Sequence, residues 1–280
     1  MNEIDFYQVD AFASKAFAGN AAAVTPLPLG KSDPWWDDKK LLTIAQENNL
    51  SETAFLRRVD EAVYDLRWFT PVQEVPLCGH ATLAAAHALW RECGVAADRL
   101  TFNTKSGALT VEKDGAGYAM DFPADNATPA APMPVLSDAL GAAPAEIFKG
   151  QYILAVFESA QEVLQLSPDM SALVRFADDH GALAACVVAT ARGGSDWDGA
   201  PADFISRFFA PAQGIPEDPV TGSAHCLLAP FWAERLGNPT LQAFQASKRG
   251  GRVGCRVVGE RVILSGEAVT VISGRMTVPF

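Results

Sequence analysis

Short runs in which apolar and polar residues alternate, or in which β-branched and aromatic residues cluster, recur along the chain: FYQVDAF, TAFLRRV, VYDLRWF, ALTVEK, YAMDF, ILAVF, AACVVAT, RVILSG and AVTVISG. Each has the length and period of a strand. Two segments break the pattern. HATLAAAHALWREC (80–93) and SAHCLLAPFWAERL (223–236) are almost wholly apolar around the full helical turn over residues 81–90 and 224–233, and Gly94 and Gly237 stop them. A helix without a polar stripe is one surrounded by protein. The pattern predicts two central helices, each wrapped in sheet.

The two halves are related. RWFTPVQ (67–73) recurs as RFFAPAQ (207–213), 140 residues on. Past a three-residue insertion the offset becomes 143, so that Cys78-Gly79-His80-Ala81-Thr82 falls on Thr221-Gly222-Ser223-Ala224-His225. The Pro/Ala-rich PADNATPAAPMPV (123–135) lacks periodicity and reads as a linker, giving domains at 1–124 and 125–280. The expected class is α+β: two similar domains, each a curled mixed β-sheet around a central apolar helix, with the active site in the cleft between them. Two helix starts facing one cavity would present unpaired N–H groups able to bind carboxylate or phosphate without a basic side chain. A duplication with only a packing role is the competing account, and the polar clusters at matched positions argue against it.

Charge narrows the partners. Thirty-three acidic residues against 22 basic ones give a net charge of −11, the wrong sign for a nucleic-acid surface. The acidic start MNEIDFYQVD lacks the basic, then apolar pattern of a signal peptide, and no segment supplies a membrane span, so a cytoplasmic protein is expected. Five widely spaced cysteines without a CxxC pair are expected as reduced thiols. Of these, Cys93, Cys186, Cys226 and Cys255 read as small hydrophobes.

Candidate chemistry gathers at three places. In NNLSETAFL (48–56) strand alternation puts Ser51, Thr53 and Phe55 on one face and Glu52, Ala54 and Leu56 on the other. Glu52 on an apolar face is either part of a turn capped by Ser51 or a proton carrier in a desolvated setting. At the first helix start, His80 either caps its helix or, with its pKa lowered by the positive helix end, relays a proton as neutral imidazole. Cys78 beside it reads as core or as a thiol acid/base. In EDPVTGSAH (217–225), Asp218-Pro219 is either an N-cap with a first-turn proline, or Thr221 caps the helix and leaves Asp218 aimed at the cleft beside Ser223. Glu217 is expected in solvent. No metal set is legible, because His80 and His87 stand about 10.5 Å apart along one helix; His87, His180 and His225 are assigned structural roles.

DAFASKAFAGNAAAV (10–24), IAQENNLSETAFL (44–56), RWFTPVQEVPLCGHATLAAAHAL (67–89) and RFFAPAQGIPEDPVTGSAHCLLAPFW (207–232) together resemble the PhzF-like isomerases of phenazine biosynthesis, relatives of diaminopimelate epimerase. The resemblance spans most of the chain and implies two similar domains, each a mixed sheet curled round a helix. It also implies a cofactor-independent isomerase or epimerase, acting on a small carboxylate-bearing metabolite and dimeric. By the same resemblance Glu52 is the proton carrier, assisted by His80, Asp218 and Ser223. Asn20 and the backbone at Gly79, Gly222 and Ala224 become substrate contacts. The related epimerase uses two opposed cysteines. Here Thr221 stands where the counterpart of Cys78 would be, and threonine exchanges no proton near neutral pH, which disfavours a two-thiol racemase. A Cys78-dependent racemase and a non-catalytic ligand-binding protein are the alternatives.

Overall fold

The computed structural model describes residues 2–194 and 196–279. In chain order the elements are β1 (Asn2–Ala11), β2 (Asn20–Pro26), α1 (Asp38–Asn48), β3 (Glu52–Arg58), β4 (Val63–Phe69), β5 (Glu74–Val75), α2 (Gly79–Arg91), β6 (Arg99–Thr104), β7 (Gly107–Asp114) and β8 (Gly117–Pro123). There follow β9 (Thr128–Ala130), α3 (Pro134–Leu140), β10 (Glu146–Lys149), β11 (Ile153–Val156), α4 (Ala160–Gln165), α5 (Met170–His180), β12 (Val187–Arg192), β13 (Phe204–Ala210) and β14 (Ile215–Asp218). The last are α6 (Gly222–Leu236), β15 (Thr240–Gln245), β16 (Gly251–Val258), β17 (Arg261–Gly266) and β18 (Ala268–Val278). The class is α+β, and the chain divides into two compact units, Met1–Asp121 with Ser265–Phe280, and Phe122–Leu264.

The strand pairings of the first unit are repeated in the second. β1 and β2 are antiparallel, β2 and β3 parallel, β3 and β4 antiparallel, β4 and β6 parallel, and β6 and β7 antiparallel, with β5 set antiparallel on the end of β4. The second unit matches each pairing: β10–β11 antiparallel, β11–β12 parallel, β12–β13 antiparallel, β13–β15 parallel, β15–β16 antiparallel, and β14 antiparallel to β13. Even the flanking strand is matched, since β18 lies antiparallel to β1 and β9 antiparallel to β10. The fold is thus two similar mixed sheets.

The expected domain division placed everything after residue 124 in the second half. Instead β18 returns to the first unit, pairing with β1 along its whole length. The stretch expected as a linker carries β9, which pairs with β10. Pro129 is tolerated there because a short flanking strand asks little of its missing N–H.

Each unit buries one helix. Every residue of α2 from His80 to Trp90 is buried, as the all-round apolar pattern required. In α6, Ala224 through Ala229, Phe231 and Trp232 are buried despite Pro230 in the helix interior. A proline there cannot donate to the carbonyl four residues back. That carbonyl, on Cys226, accepts instead from the backbone N–H of Asp125 at 3.0 Å, which removes one of the two costs of the proline.

The other face of the first sheet is covered by α1, whose Leu41, Ile44 and Ala45 pack with Ile4, Phe55 and Phe69. In the second unit α3, α4 and α5 do the same, with Leu136, Val163, Leu173 and Phe176 packed on Ile153, Val187 and Phe209. Among the described residues no helix is long and apolar enough to cross a membrane.

Candidate active site

β3 begins at Glu52, so the carboxylate sits at the end of a strand buried on both faces. Phe55 goes toward α1, and Glu52, of opposite strand parity, meets His80 of α2. Glu52 is 8% and His80 5% exposed. Their Oε2 and Nε2 atoms lie 3.0 Å apart, but neither atom completes an aligned hydrogen bond. The described ion-pair partner of Glu52 is therefore an imidazole, whose charge depends on its own proton, and not an arginine or lysine.

The other edge of the His80 ring is occupied as well. Nδ1 lies 3.5 Å from Cys78 Sγ and 3.2 Å from Asn20 Nδ2, and Asn20 Oδ1 accepts from Ser51 Oγ at 3.3 Å. Asn20 opens β2, the parallel neighbour of β3, which is how residues of three separate segments converge. Before it, Gly19 takes a left-handed φ of +62°, and a side chain there would run into the carbonyl of Ala11. Ser51 bonds to Asn20 and does not cap a helix; the N-cap of α1 is Asp37, which accepts from Lys39 N at 2.9 Å.

Electrostatics overturn one expectation. Burial opposes a charge on His80, but the neighbouring Cys78 and Glu52 outweigh it and raise the imidazole well above its usual value. The helix start by itself would have lowered it; Cys78 on one edge of the ring and Glu52 on the other together reverse the sign. Burial, reinforced by Glu52, pushes the Cys78 thiol up to about 11. Cys78 is thus held as a thiol near neutral pH.

Sequence spacing offered no metal set, yet the fold gathers a carboxylate, a thiol and an imidazole: the ligand-type atoms of Glu52, Cys78 and His80 lie within 4.8 Å of one another. Each of the three is also a group that can hold or release a proton. His87 stays structural, bonded to Tyr118 Oη at 2.9 Å and Thr270 Oγ1 at 3.0 Å.

The second unit builds its own polar cluster at the start of α6. Thr221 occupies the N-cap but makes no side-chain cap bond; its hydroxyl donates to Asp218 Oδ2. Gln245 of β15, wholly buried, ties the cluster together. It accepts from Thr221 N at 2.9 Å and donates to the Asp218 carbonyl at 2.8 Å. Asp218, the last residue of β14, is therefore neither a helix cap nor solvated.

Ser223, in the first turn of α6, accepts a hydrogen bond from Tyr152 Oη at 2.8 Å. No reading of the sequence had singled out Tyr152 or Gln245, since neither lies in a repeated motif. Gly79, Gly222 and Ala224 stand in the first turns of α2 and α6, where neither N-cap side chain closes the helix start. Glu217, expected in solvent, is instead gripped by Arg207 through two bonds of 2.7 and 2.9 Å.

Comparison with known proteins agrees with the fold. Residues 9–274 match the family model described as phenazine biosynthesis-like protein. An uncharacterized isomerase of Pseudomonas aeruginosa is 46% identical over 275 residues, covering 98% of each chain. The crystal structure of a PhzF-family phenazine biosynthesis protein of Enterococcus faecalis superposes with a TM-score of 0.89 at 40% identity, covering 99% of this chain and 100% of that one. A hydroxyproline epimerase of Agrobacterium vitis, 13% identical with a TM-score of 0.60 and coverages of 99% and 91%, shares the fold. With the duplicated sheet-and-helix units, these matches establish that the chain belongs to the phenazine biosynthesis-like, PhzF, family and is an isomerase.

Proposed function

We propose that the protein isomerises or epimerises a small carboxylate-bearing metabolite without a cofactor, and that Glu52 is its general acid/base. The observation that carries this reading is the burial of Glu52 against His80, 3.0 Å from its Nε2, with no arginine or lysine as its described ion-pair partner. A carboxylate locked to a guanidinium would be a poor base, whereas one facing an imidazole can exchange charge with it.

In the proposed cycle Glu52 removes a proton from a carbon made acidic by an adjoining carboxylate or imine and returns it at another carbon or face. His80 takes up or releases charge beside it. The first-turn N–H groups of α2, left without a side-chain cap, support developing negative charge on the substrate. Asp218 and Ser223 enter the proposal as groups whose removal lowers turnover. Cys78 is not the base, since its thiol is held protonated.

The test is isotope exchange. Small amino acids and cyclic carboxylates are incubated in deuterated water with the wild type and with Glu52→Gln, and carbon-bound deuterium is followed by NMR. A substrate exchanges with the wild type, and the variant loses about 10²–10⁴-fold of the rate. Exchange surviving at the wild-type rate in Glu52→Gln removes Glu52 from the mechanism.

A further inference from the structure

The resemblance made Asn20 a substrate contact, but its side chain is wholly buried, between Ser51 and His80. An amide nitrogen only donates. With Asn20 Nδ2 3.2 Å from His80 Nδ1, Nδ1 is the unprotonated ring atom, and a neutral ring carries its hydrogen on Nε2, the atom facing Glu52.

A second proton on the ring would bring Nδ1–H against the amide NH₂. Turning the amide by half a turn cures this. Oδ1 then accepts from Nδ1–H, Nδ2 donates to Ser51 Oγ, and the Ser51 hydroxyl, a donor in the first arrangement, becomes an acceptor in the second. No backbone has to move.

We propose that Asn20 is a positioning residue that holds His80 in one place through both of its protonation states, by turning its amide against the Ser51 hydroxyl. The titratable groups that face His80 are Glu52 from β3 and Cys78 from the residue before α2. Cys78 Sγ, 3.5 Å from Nδ1, is a weak acceptor and cannot replace Oδ1. Asn20 and Ser51, both uncharged, provide the adaptable side of the site.

The role rests on the reading of Glu52 and His80 as the proton-carrying pair, but its first test needs no substrate. The full chain is labelled with ¹⁵N-histidine, its His80 signals are assigned by comparison with His80→Gln, and long-range ¹H–¹⁵N NMR is recorded across a pH series. In the wild type the neutral ring is protonated on Nε2, and a neutral ring protonated on Nδ1 overturns the proposal.

Asn20→Asp supplies a group that only accepts, so the imidazolium persists to higher pH, with the His80 midpoint rising by about one pH unit or more. An unmoved midpoint in the folded variant is the second overturning result. Once a substrate is in hand, Asn20→Asp lowers kcat by about tenfold or more and leaves KM near the wild-type value. A raised KM with kcat retained would return Asn20 to direct substrate binding. If Asn20→Asp does not fold, the wild-type tautomer still decides. Failure of Glu52→Gln to abolish exchange, with the His80 spectra as expected, would fault the catalytic reading and leave the role of Asn20 standing.

Discussion

Arg207 grips Glu217 as a fork, Nε to Oε1 at 2.7 Å and Nη2 to Oε2 at 2.9 Å, with the guanidinium stacked 4.8 Å from the centre of Phe209. The first unit repeats the device: Arg67 holds Glu74 at 2.8 and 2.7 Å and lies 5.1 Å from Phe69. Each fork ties the long strand before the loop, β13 or β4, to the short strand after it, β14 or β5. That short strand leads directly into the start of the buried helix. In the second unit the fork holds the residue next to Asp218.

Arg207 also donates to the carbonyls of Leu166 at 2.7 Å and Val163 at 3.2 Å. Arg207→Met therefore strands a largely buried carboxylate and two carbonyls, and the expected loss of stability is about 3 kcal/mol. Denaturant unfolding measures it. The double variant Arg207→Met/Glu217→Met should recover part of that loss, because an apolar pair leaves no uncompensated charge; a double variant as unstable as the single would show that the carbonyl bonds, not the ion pair, carry the cost.

The duplication was legible because the RWFTPVQ and RFFAPAQ motifs, the glycines and the apolar helices are written as local patterns. Half of the strands, among them β1, β3, β4, β11 and β12, and both central helices followed from the local apolar pattern. What escaped was set by pairing between distant segments. Nothing in AVTVISG says that β18 returns to β1, and nothing in GN says that Asn20 meets a histidine sixty residues on, since both facts depend on which strands become neighbours. The sign of the His80 shift failed for the same reason: the helix start was visible in the sequence, but the facing carboxylate was not. α1 carries Leu41, Ile44 and Ala45 at helical spacing but lies outside the repeated motifs that reveal the two halves.

Cys78 supplies a discriminating substitution. Its thiol, pushed up to about 11 by burial and by Glu52, is neither base nor nucleophile near neutral pH. Cys78→Ala is expected to keep exchange activity within about threefold, since a thiol at 3.5 Å from Nδ1 contributes at most a weak hydrogen bond. A loss of several hundredfold in a folded variant would transfer the acid/base role to the thiol.

Tyr152 donates its hydrogen to Ser223 Oγ, which leaves the serine hydrogen free to point elsewhere. Burial, in spite of that bond, pushes the phenol up to about 12, so it stays a donor at any working pH. Tyr152→Phe should lower kcat/KM by roughly tenfold, the equivalent of one hydrogen bond of about 1–1.5 kcal/mol, while thermal unfolding moves little. Unchanged kinetics would confine Tyr152 to packing on Phe208.

His225 sets the behaviour toward acid. Nδ1 donates to the Thr221 carbonyl at 2.8 Å, Nε2 has no hydrogen-bond partner, and burial lowers the pKa to about 4. The folded protein keeps this ring neutral while the unfolded chain takes up a proton below about 6.5. Stability therefore rises with pH across that window and is lost as pH falls from about 6.5 toward 4, at up to about 1.4 kcal/mol per pH unit for this one group. His87, also lowered to about 4 chiefly by burial, acts in the same direction. Denaturant unfolding of wild type and His225→Gln at pH 7.5, 6 and 5 separates this histidine from the titrating carboxylates common to both proteins. The variant starts less stable at pH 7.5 and loses less on acidification, so the two stability curves converge as pH drops; parallel curves would mean that His225 binds its proton equally in the folded and unfolded states.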